Sequence, residues 1–134
     1  MTVQVIALTL LWEFGGCSPA EMHRGASVLY ARKWDARGRY GVGWEEICLK
    51  PRAFSCWNNR QQDKANVQRY ADQEAEADAA LWFRCVQLAM AMEAGTFVPD
   101  FYATNYWLPT ARVSDTMAAL PEVFRGVHTF RREE

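Results

Sequence analysis

The sequence has little excess charge, few metal-binding side chains and no long hydrophobic run. Its 134 residues contain 15 Lys and Arg against 16 Asp and Glu, which gives a net charge of −1. A dedicated nucleic-acid-binding protein usually carries a basic patch, so nucleic acid is not an expected partner. The four cysteines and two histidines stand at unrelated spacings: Cys17, Cys48, Cys56, Cys85, His23 and His128. Because zinc ligands normally cluster in a sequence, we expect neither a bound metal nor another cofactor.

The stretch from Val3 to Phe14 is apolar, but it lacks the features of a signal peptide. No Lys or Arg precedes it, and no small-residue cleavage pattern follows it. It is also shorter than the roughly 20 residues that a membrane-spanning helix needs. We therefore expect a buried helix, synthesis in the cytoplasm and no stable insertion into a membrane.

Length and composition predict one domain over residues 1–134. Half of the residues are apolar and 23% are charged, which is typical of a packed core with a solvated surface. Six Trp, five Tyr and seven Phe are many for so short a chain. Such aromatic residues suit a groove that stacks on flat faces, including those of sugar rings. The oligomeric state stays open, with a monomer as the expectation.

Local signals predict several helices. Gly15-Gly16 end the first helix, while Ser18 and Pro19 are typical of the N-cap and first position of a second. Glu21 stands where it could close a capping box with Ser18. Recurring apolar residues predict one long helix from about Lys64 to Glu93, and the acidic residues in its first half are expected to form a solvated face.

Alternating side chains predict a small β element near the end of the chain. The alternation runs from Phe101 to Trp107 and again from Phe124 to Arg131, and the two segments could pair. The expected fold class is therefore α+β, mainly helical, with a small antiparallel β element.

Glu13 is the one charged side chain among the first 20 residues, and it ends a helix built for burial. Loss of hydration is expected to raise the pKa of its carboxyl toward neutrality, as a general acid in glycosidic bond cleavage requires. The alternative is an exposed residue of the last helical turn, or a partner of an arginine. The residues alone leave these readings equal, although the helix macrodipole disfavours an acidic residue at this end.

Three blocks of the sequence together resemble the SleB-type cell wall hydrolases, which are peptidoglycan-cleaving domains of spore germination enzymes, bacterial chromosomes and phages. The first block is the apolar helix that ends in Trp12-Glu13-Phe14-Gly15-Gly16. The second, Lys50 to Trp57, is similar to the family's Q-P-x-Q-F-S-x-W. The third joins Ala103-Thr104-Asn105-Tyr106, similar to G-A-T-x-Y, with Gly126 to Phe130, similar to G-x-H-x-F.

The sequence also departs from the family pattern. The family often has an Asn-Arg pair late in its second helix, and Tyr30-Ala31-Arg32 keeps the Arg alone. The family's G-E-A-R-G block is replaced here by the residues around Glu13. The catalytic Glu of the family is thus matched, while the residues around it differ.

The resemblance implies a lysozyme-like fold in which Glu13 cleaves the β-1,4 bond between N-acetylmuramic acid and N-acetylglucosamine. In lytic transglycosylases one Glu acts as acid and then as base, and the C6 hydroxyl of the muramic sugar attacks in place of water. A hydrolase would need a carboxyl pair about 5–9 Å apart. Glu45, Glu46 and Asp100 are the candidates for a second carboxylate, and each is more simply a surface or capping residue.

The same resemblance implies that Ser55, Trp57, Asn105 and Tyr106 bind the glycan strand. Trp57 is favoured for stacking on a sugar face and Phe54 for the core, although either aromatic ring could close the core beneath the groove. Ser55 could instead fix the turn. For Tyr106, a groove role and a structural role stay equal.

Two classes of function therefore stand. The first is an endolysin-like peptidoglycan lytic enzyme of phage or prophage origin, which acts at the cell wall after release by another protein. The second is a non-catalytic peptidoglycan-binding or virion structural protein on the same scaffold. A peptidase or amidase would usually need a Cys–His–Asp constellation or zinc, which the spacing does not support.

Overall fold

The computed structural model describes residues 1–133, which form an α+β fold as predicted. The elements follow one another as α1 (Thr2–Phe14), α2 (Pro19–Lys33), α3 (Trp44–Leu49), a 3₁₀ turn (Ser55–Trp57), α4 (Lys64–Ala77), α5 (Ala79–Ala94), β1 (Asn105–Trp107), α6 (Asp115–Ala118), β2 (Glu122–Arg125) and β3 (Thr129–Arg131). Among the described residues, no helix combines the length and apolar character that crossing a membrane requires.

Helix α1 lies at the centre of the core. Every residue from Val5 to Leu10 is fully buried, as is Phe14, and the helix contacts α2, α3, α4, α5 and the 3₁₀ turn. A helix without charged side chains over these positions loses no ion hydration on burial, so it can be covered on nearly all sides. The predicted buried helix is confirmed.

Helix α2 begins as predicted but uses Glu21 differently. The Ser18 hydroxyl accepts a hydrogen bond from the Glu21 amide at 3.1 Å, and Pro19 occupies the first turn. The Glu21 side chain does not close the capping box, because it points into the core and is fully buried. Further along α2, a Cβ at Gly25 would lie 2.3 Å from the Phe14 ring, so glycine allows α1 and α2 to approach closely here.

The predicted helix from Lys64 to Glu93 is two helices. Asp78 adopts an extended backbone, ends α4, and accepts a hydrogen bond from the Leu81 amide as the N-cap of α5. The apolar spacing continues across this break, which is why periodicity alone does not reveal it. Two of the acidic residues expected on a solvated face make structural contacts. Asp78 caps α5, and Glu74 accepts a hydrogen bond of 3.0 Å from the Trp12 indole.

The β element is one antiparallel sheet with strand order β1-β3-β2. Tyr106 pairs with Phe130, so the predicted pairing of the two alternating segments is confirmed. The second segment, expected as one strand from Phe124 to Arg131, is instead two strands, β2 and β3, in which Phe124 pairs with Phe130. Its first strand is shorter than predicted, since pairing begins at Asn105 rather than Phe101.

A buried carboxylate fastens the turn before β3 to α2. Glu21 accepts hydrogen bonds from the backbone N–H and ring Nδ1 of His128, both at 2.8 Å, and from Arg24 Nη1 at 3.0 Å. Burial by itself would raise the pKa of Glu21, but the hydrogen bonds from His128 and Arg24 outweigh it and hold the pKa below its usual value. An ionised carboxylate only accepts, so His128 carries its proton on Nδ1.

We predict that Glu21→Gln lowers the free energy of unfolding by about 1–3 kcal/mol at pH 7, because charge-assisted hydrogen bonds become neutral ones. Since folding lowers the pKa of Glu21, its contribution is complete above the unfolded value of about 4.3 and is lost as the pH falls through the folded value. Denaturant unfolding of both proteins between pH 3 and 7 measures this. The exposed carboxyl of Glu93 supplies the control, Glu93→Gln. A Glu21→Gln deficit that stays constant over this pH range would contradict the prediction.

Candidate functional site

Glu13 stands where the buried helix α1 reaches the surface. It occupies the last turn of α1 and is partly exposed, while the next residue, Phe14, is fully buried. Its Oε1 accepts a hydrogen bond from the backbone N–H of Cys56 at 3.3 Å. The carboxyl is thus tied to the segment that contains the second sequence block.

The 3₁₀ turn that carries Cys56 is anchored by aromatic side chains on either side. Phe54 is 2% exposed and Trp57 is 3% exposed. The Trp57 indole donates a hydrogen bond of 2.8 Å to the Thr9 hydroxyl inside the core. The assignment of Phe54 to the core is confirmed. The expectation that Trp57 stacks on a sugar was wrong, because its ring is enclosed and its one donor is already used.

Tyr106 approaches Glu13 from the sheet. Its ring packs against Phe14 with centroids 4.9 Å apart and meets the edge of the His128 ring at 5.5 Å. Burial raises the pKa of the Tyr106 hydroxyl well above its ordinary value, and the charge and hydrogen bond of Glu13 raise it further. The phenol is therefore neutral at physiological pH and can donate to the Glu13 carboxylate.

The Cys56 thiol is the third group at this carboxyl. Burial raises its pKa strongly, and the neighbouring charge of Glu13 and a hydrogen bond to it raise the pKa further. Arg60 opposes this shift with its positive charge. Glu13 is therefore surrounded by an amide, a thiol and a phenol that are all neutral near pH 7.

Arg32 brings the pieces of the site together. Its Nε donates to the Thr104 carbonyl at 2.7 Å, and its Nη1 lies 3.5 Å from the Ala53 carbonyl. The guanidinium also packs over the rings of Tyr40 and Phe54. Arg32 is 8% exposed, and burial lowers its pKa. In the sequence Arg32 stands out as the retained Arg of the Asn-Arg pair, but contacts between such distant positions carry no signal in one sequence.

Trp12 and Arg60 form the exposed flank next to Glu13. The Arg60 guanidinium lies 3.7 Å from the centroid of the Trp12 ring, and its Nη1 donates to the Cys56 carbonyl at 2.7 Å. The Trp12 ring is itself held edge-on by Trp57 and Tyr70, at 5.0 and 5.6 Å. Neither Trp12 nor Arg60 was among the binding residues expected from the sequence.

The other expected binding residues lie on the segments that meet at Glu13. Ser55 is exposed and directly precedes Cys56. Asn105 is partly exposed at the start of β1, and its side-chain oxygen accepts a hydrogen bond from the Thr104 hydroxyl at 2.9 Å. Their roles in binding stay predictions.

The three carboxylates considered as a second catalytic group have other partners. Glu45 accepts from the Thr2 hydroxyl, Glu46 from the Val42 amide at 3.2 Å, and Asp100 lies 2.9 Å from the His23 ring nitrogen. Within residues 1–133, no group of three or more His, Cys, Asp or Glu side chains is arranged to hold a metal ion.

A cleft of about 430 Å³ lies elsewhere, and its lining is Ala20, His23, Arg24, Asp100, Phe101 and Phe124. None of these residues is a described contact of Glu13. Its polar groups are already paired, since Arg24 binds Glu21 and His23 binds Asp100. The surroundings of Glu13 combine a partly exposed carboxyl with neutral donors, and we take them as the candidate site.

No protein-family model and no curated protein sequence matches the chain. The structure is similar to the crystal structure of the catalytic domain of the Bacillus cereus SleB protein, with a TM-score of 0.67 and 18% sequence identity. The similarity covers 98% of this chain and 89% of that domain. It confirms the lysozyme-like α+β fold expected from the sequence.

The Cys56 thiol gives a direct test of the geometry around Glu13. We predict that it reacts with iodoacetamide at pH 8 at least about tenfold more slowly than free cysteine, because little thiolate forms. Glu13→Gln removes the nearby negative charge and should accelerate the reaction. Mass spectrometry of the modified peptides measures both rates.

Cys17 is the internal control for this experiment. Its pKa is raised by burial and by the charge of Glu21, so Glu13→Gln should leave its rate unchanged. Equal rates at Cys56 in the parent protein and the variant would show that Glu13 does not face this thiol.

Proposed function

We propose that the protein cleaves the glycan strands of peptidoglycan at the β-1,4 bond between N-acetylmuramic acid and N-acetylglucosamine. The observation that carries this proposal is the placement of Glu13, a partly exposed carboxyl at the end of a buried helix, which accepts a hydrogen bond from the Cys56 amide and lies beside Tyr106. The similar SleB structure is described as a catalytic domain, and the sequence blocks that resemble its family meet at this carboxyl.

Glu13 acts first as the general acid. The protonated carboxyl donates its proton to the glycosidic oxygen as the bond from that oxygen to C1 of the muramic sugar breaks. The developing positive charge lies on the sugar ring, beside the carboxylate that the proton transfer leaves behind. The neutral phenol of Tyr106 and the amide of Cys56 stabilise that carboxylate by donating hydrogen bonds.

Glu13 then acts as the base. It accepts the proton of the C6 hydroxyl of the same muramic sugar, and O6 forms a bond to C1, which closes a 1,6-anhydro ring and restores the protonated acid. This lytic transglycosylase reaction requires a single carboxyl. The contacts of Glu45, Glu46 and Asp100 with other groups support it, because a hydrolase would need a carboxyl pair about 5–9 Å apart.

In this proposal Ser55, Asn105 and Tyr106 line the glycan path on the two sides of Glu13. Ser55 and Asn105 are exposed or partly exposed and carry polar groups suited to hydroxyl and N-acetyl substituents. Trp12, which is partly exposed and packs against the Arg60 guanidinium, borders this path in place of the buried Trp57.

We also propose that the protein is endolysin-like and of phage or prophage origin. Peptidoglycan lies outside the cytoplasmic membrane, so a protein made in the cytoplasm must be released before it reaches this substrate. This part of the proposal rests on the resemblance of the sequence and is independent of the chemistry at Glu13.

The test is mass spectrometry of soluble products released from purified sacculi. We expect muropeptides lighter by one water molecule than reducing muropeptides, because anhydro ends form without water. Glu13→Gln should reduce the rate of release about 100- to 10,000-fold, the usual contribution of a general acid–base. Glu93→Gln makes the same chemical change at an exposed site on α5 and should keep the parent's rate.

Each other outcome has a defined meaning. Products with reducing muramic ends would show that the reaction is hydrolysis and not transglycosylation. Glu74, which accepts a hydrogen bond from the Trp12 indole, would then be the next carboxyl to substitute. Full activity in Glu13→Gln would overturn the assignment of Glu13. If the parent releases no soluble product and yet sediments with sacculi, the non-catalytic peptidoglycan-binding alternative is correct.

A further inference from the structure

Arg60 is a fixed positive charge beside the candidate catalytic carboxyl. Its backbone N–H donates to the Trp57 carbonyl at 3.1 Å, and its side chain donates to the Cys56 carbonyl at 2.7 Å. The guanidinium carbon also lies 3.7 Å from the centroid of the Trp12 ring, which is a cation–π contact. These contacts hold one face and one N–H of the guanidinium.

The remaining donors of Arg60 have no anionic partner. Within residues 1–133, no carboxylate forms an ion pair with Arg60, and the residue is exposed. A guanidinium has five N–H donors in a planar fork that matches a carboxylate in bidentate geometry. Of these donors, the Cys56 carbonyl takes one.

Cys56 links this cation to Glu13. Its N–H binds Glu13 and its carbonyl binds Arg60, so Glu13 Oε1 and Arg60 Nη1 are no more than about 10 Å apart. A sugar bound over Glu13 therefore carries its substituents past Arg60.

We propose that Arg60 binds a carboxylate of the substrate, and so selects glycan strands that carry acidic substituents over neutral ones. The inference rests on the proposed function, and it names the recognition step of that function. Two carboxylates have this chemistry: the free lactyl group of a muramic sugar without its peptide, and the carboxylates of the stem peptide.

The stacking on Trp12 makes this recognition directional. The Trp12 ring and the Cys56 carbonyl together restrict the position of the guanidinium, while its other N–H groups have no ion-pair partner within residues 1–133. Trp12 is in turn fixed by the hydrogen bond from its indole to Glu74 and by the rings of Trp57 and Tyr70. An arginine held in this way loses little side-chain entropy when it binds, which favours affinity.

The test compares the parent with Arg60→Gln on three sets of strands: strands with intact peptides, strands stripped of peptides by an amidase, and peptide-bearing strands whose carboxylates have been converted to amides. We expect KM for a carboxylate-bearing substrate to rise about tenfold with kcat little changed, and KM for the amidated strands to stay the same. An effect on peptide-bearing strands alone identifies the stem peptide as the ligand, and an effect on stripped strands alone identifies the lactyl group.

Arg84→Gln is the matched control. Arg84 is an exposed arginine on α5, so this variant loses the same charge away from Glu13. An equal rise of KM in both variants would show that the effect comes from the loss of net charge, and it would overturn the proposal. An equal rise on acidic and amidated strands would also overturn it.

Binding measurements keep this inference separate from the proposed reaction. Affinities of the same strands are measured for Glu13→Gln with and without Arg60→Gln. Suppose that the parent shows no cleavage, and that Arg60→Gln weakens the binding of acidic strands alone. Carboxylate recognition then stands and the proposed reaction does not. If cleavage occurs and Arg60→Gln leaves both KM and binding unchanged, the reaction stands and carboxylate recognition is overturned.

Discussion

Burial of α1 on nearly all sides is the constraint from which the rest of the structure follows. An apolar helix of this kind needs neighbours on every face, and α2 to α5 and the 3₁₀ turn provide them. The first charged side chain of α1 is Glu13, so the boundary between core and solvent falls at this carboxyl. The helix macrodipole disfavours a negative charge there. The hydrogen-bond donors of Cys56 and Tyr106 offset this effect and give the carboxyl a defined position.

Two buried charges on α2 then hold distant segments against the core. Arg32 binds carbonyls of the segments that precede the 3₁₀ turn and β1, and Glu21 holds the turn before β3 through His128. Burying a charge is costly unless several hydrogen bonds compensate, and both groups have such bonds. Because His128 packs against Tyr106, the ion pair at Glu21 also supports the phenol that faces Glu13. Stability and site geometry thus depend on the same contacts.

The parts of the fold that could be predicted from the sequence are those set by local interactions. Helix α1 follows from its apolar run, and the start of α2 from Ser18 and Pro19, whose effects reach three residues at most. The break at Asp78 was missed because an N-cap inside a periodic pattern does not interrupt the pattern. Trp57 was misplaced because its exposure depends on the Thr9 hydroxyl, 48 positions away. For the same reason the position of Arg60 near Glu13 could not be predicted from the sequence, because it depends on the contacts of Cys56 with both residues.

The neutral surroundings of Glu13 bear on the type of reaction. Acid–base catalysis at this position needs a group that both gives and takes a proton near neutral pH. Tyr106 and Cys56 are poorly suited to this, because burial and the charge of Glu13 raise the pKa of each far above that range. Among the groups in direct contact with the carboxyl, the proposed reaction therefore leaves Glu13 itself as both acid and base. A reaction in which Glu13 gives its proton to the departing oxygen and regains one from an internal hydroxyl meets this condition without a second carboxylate.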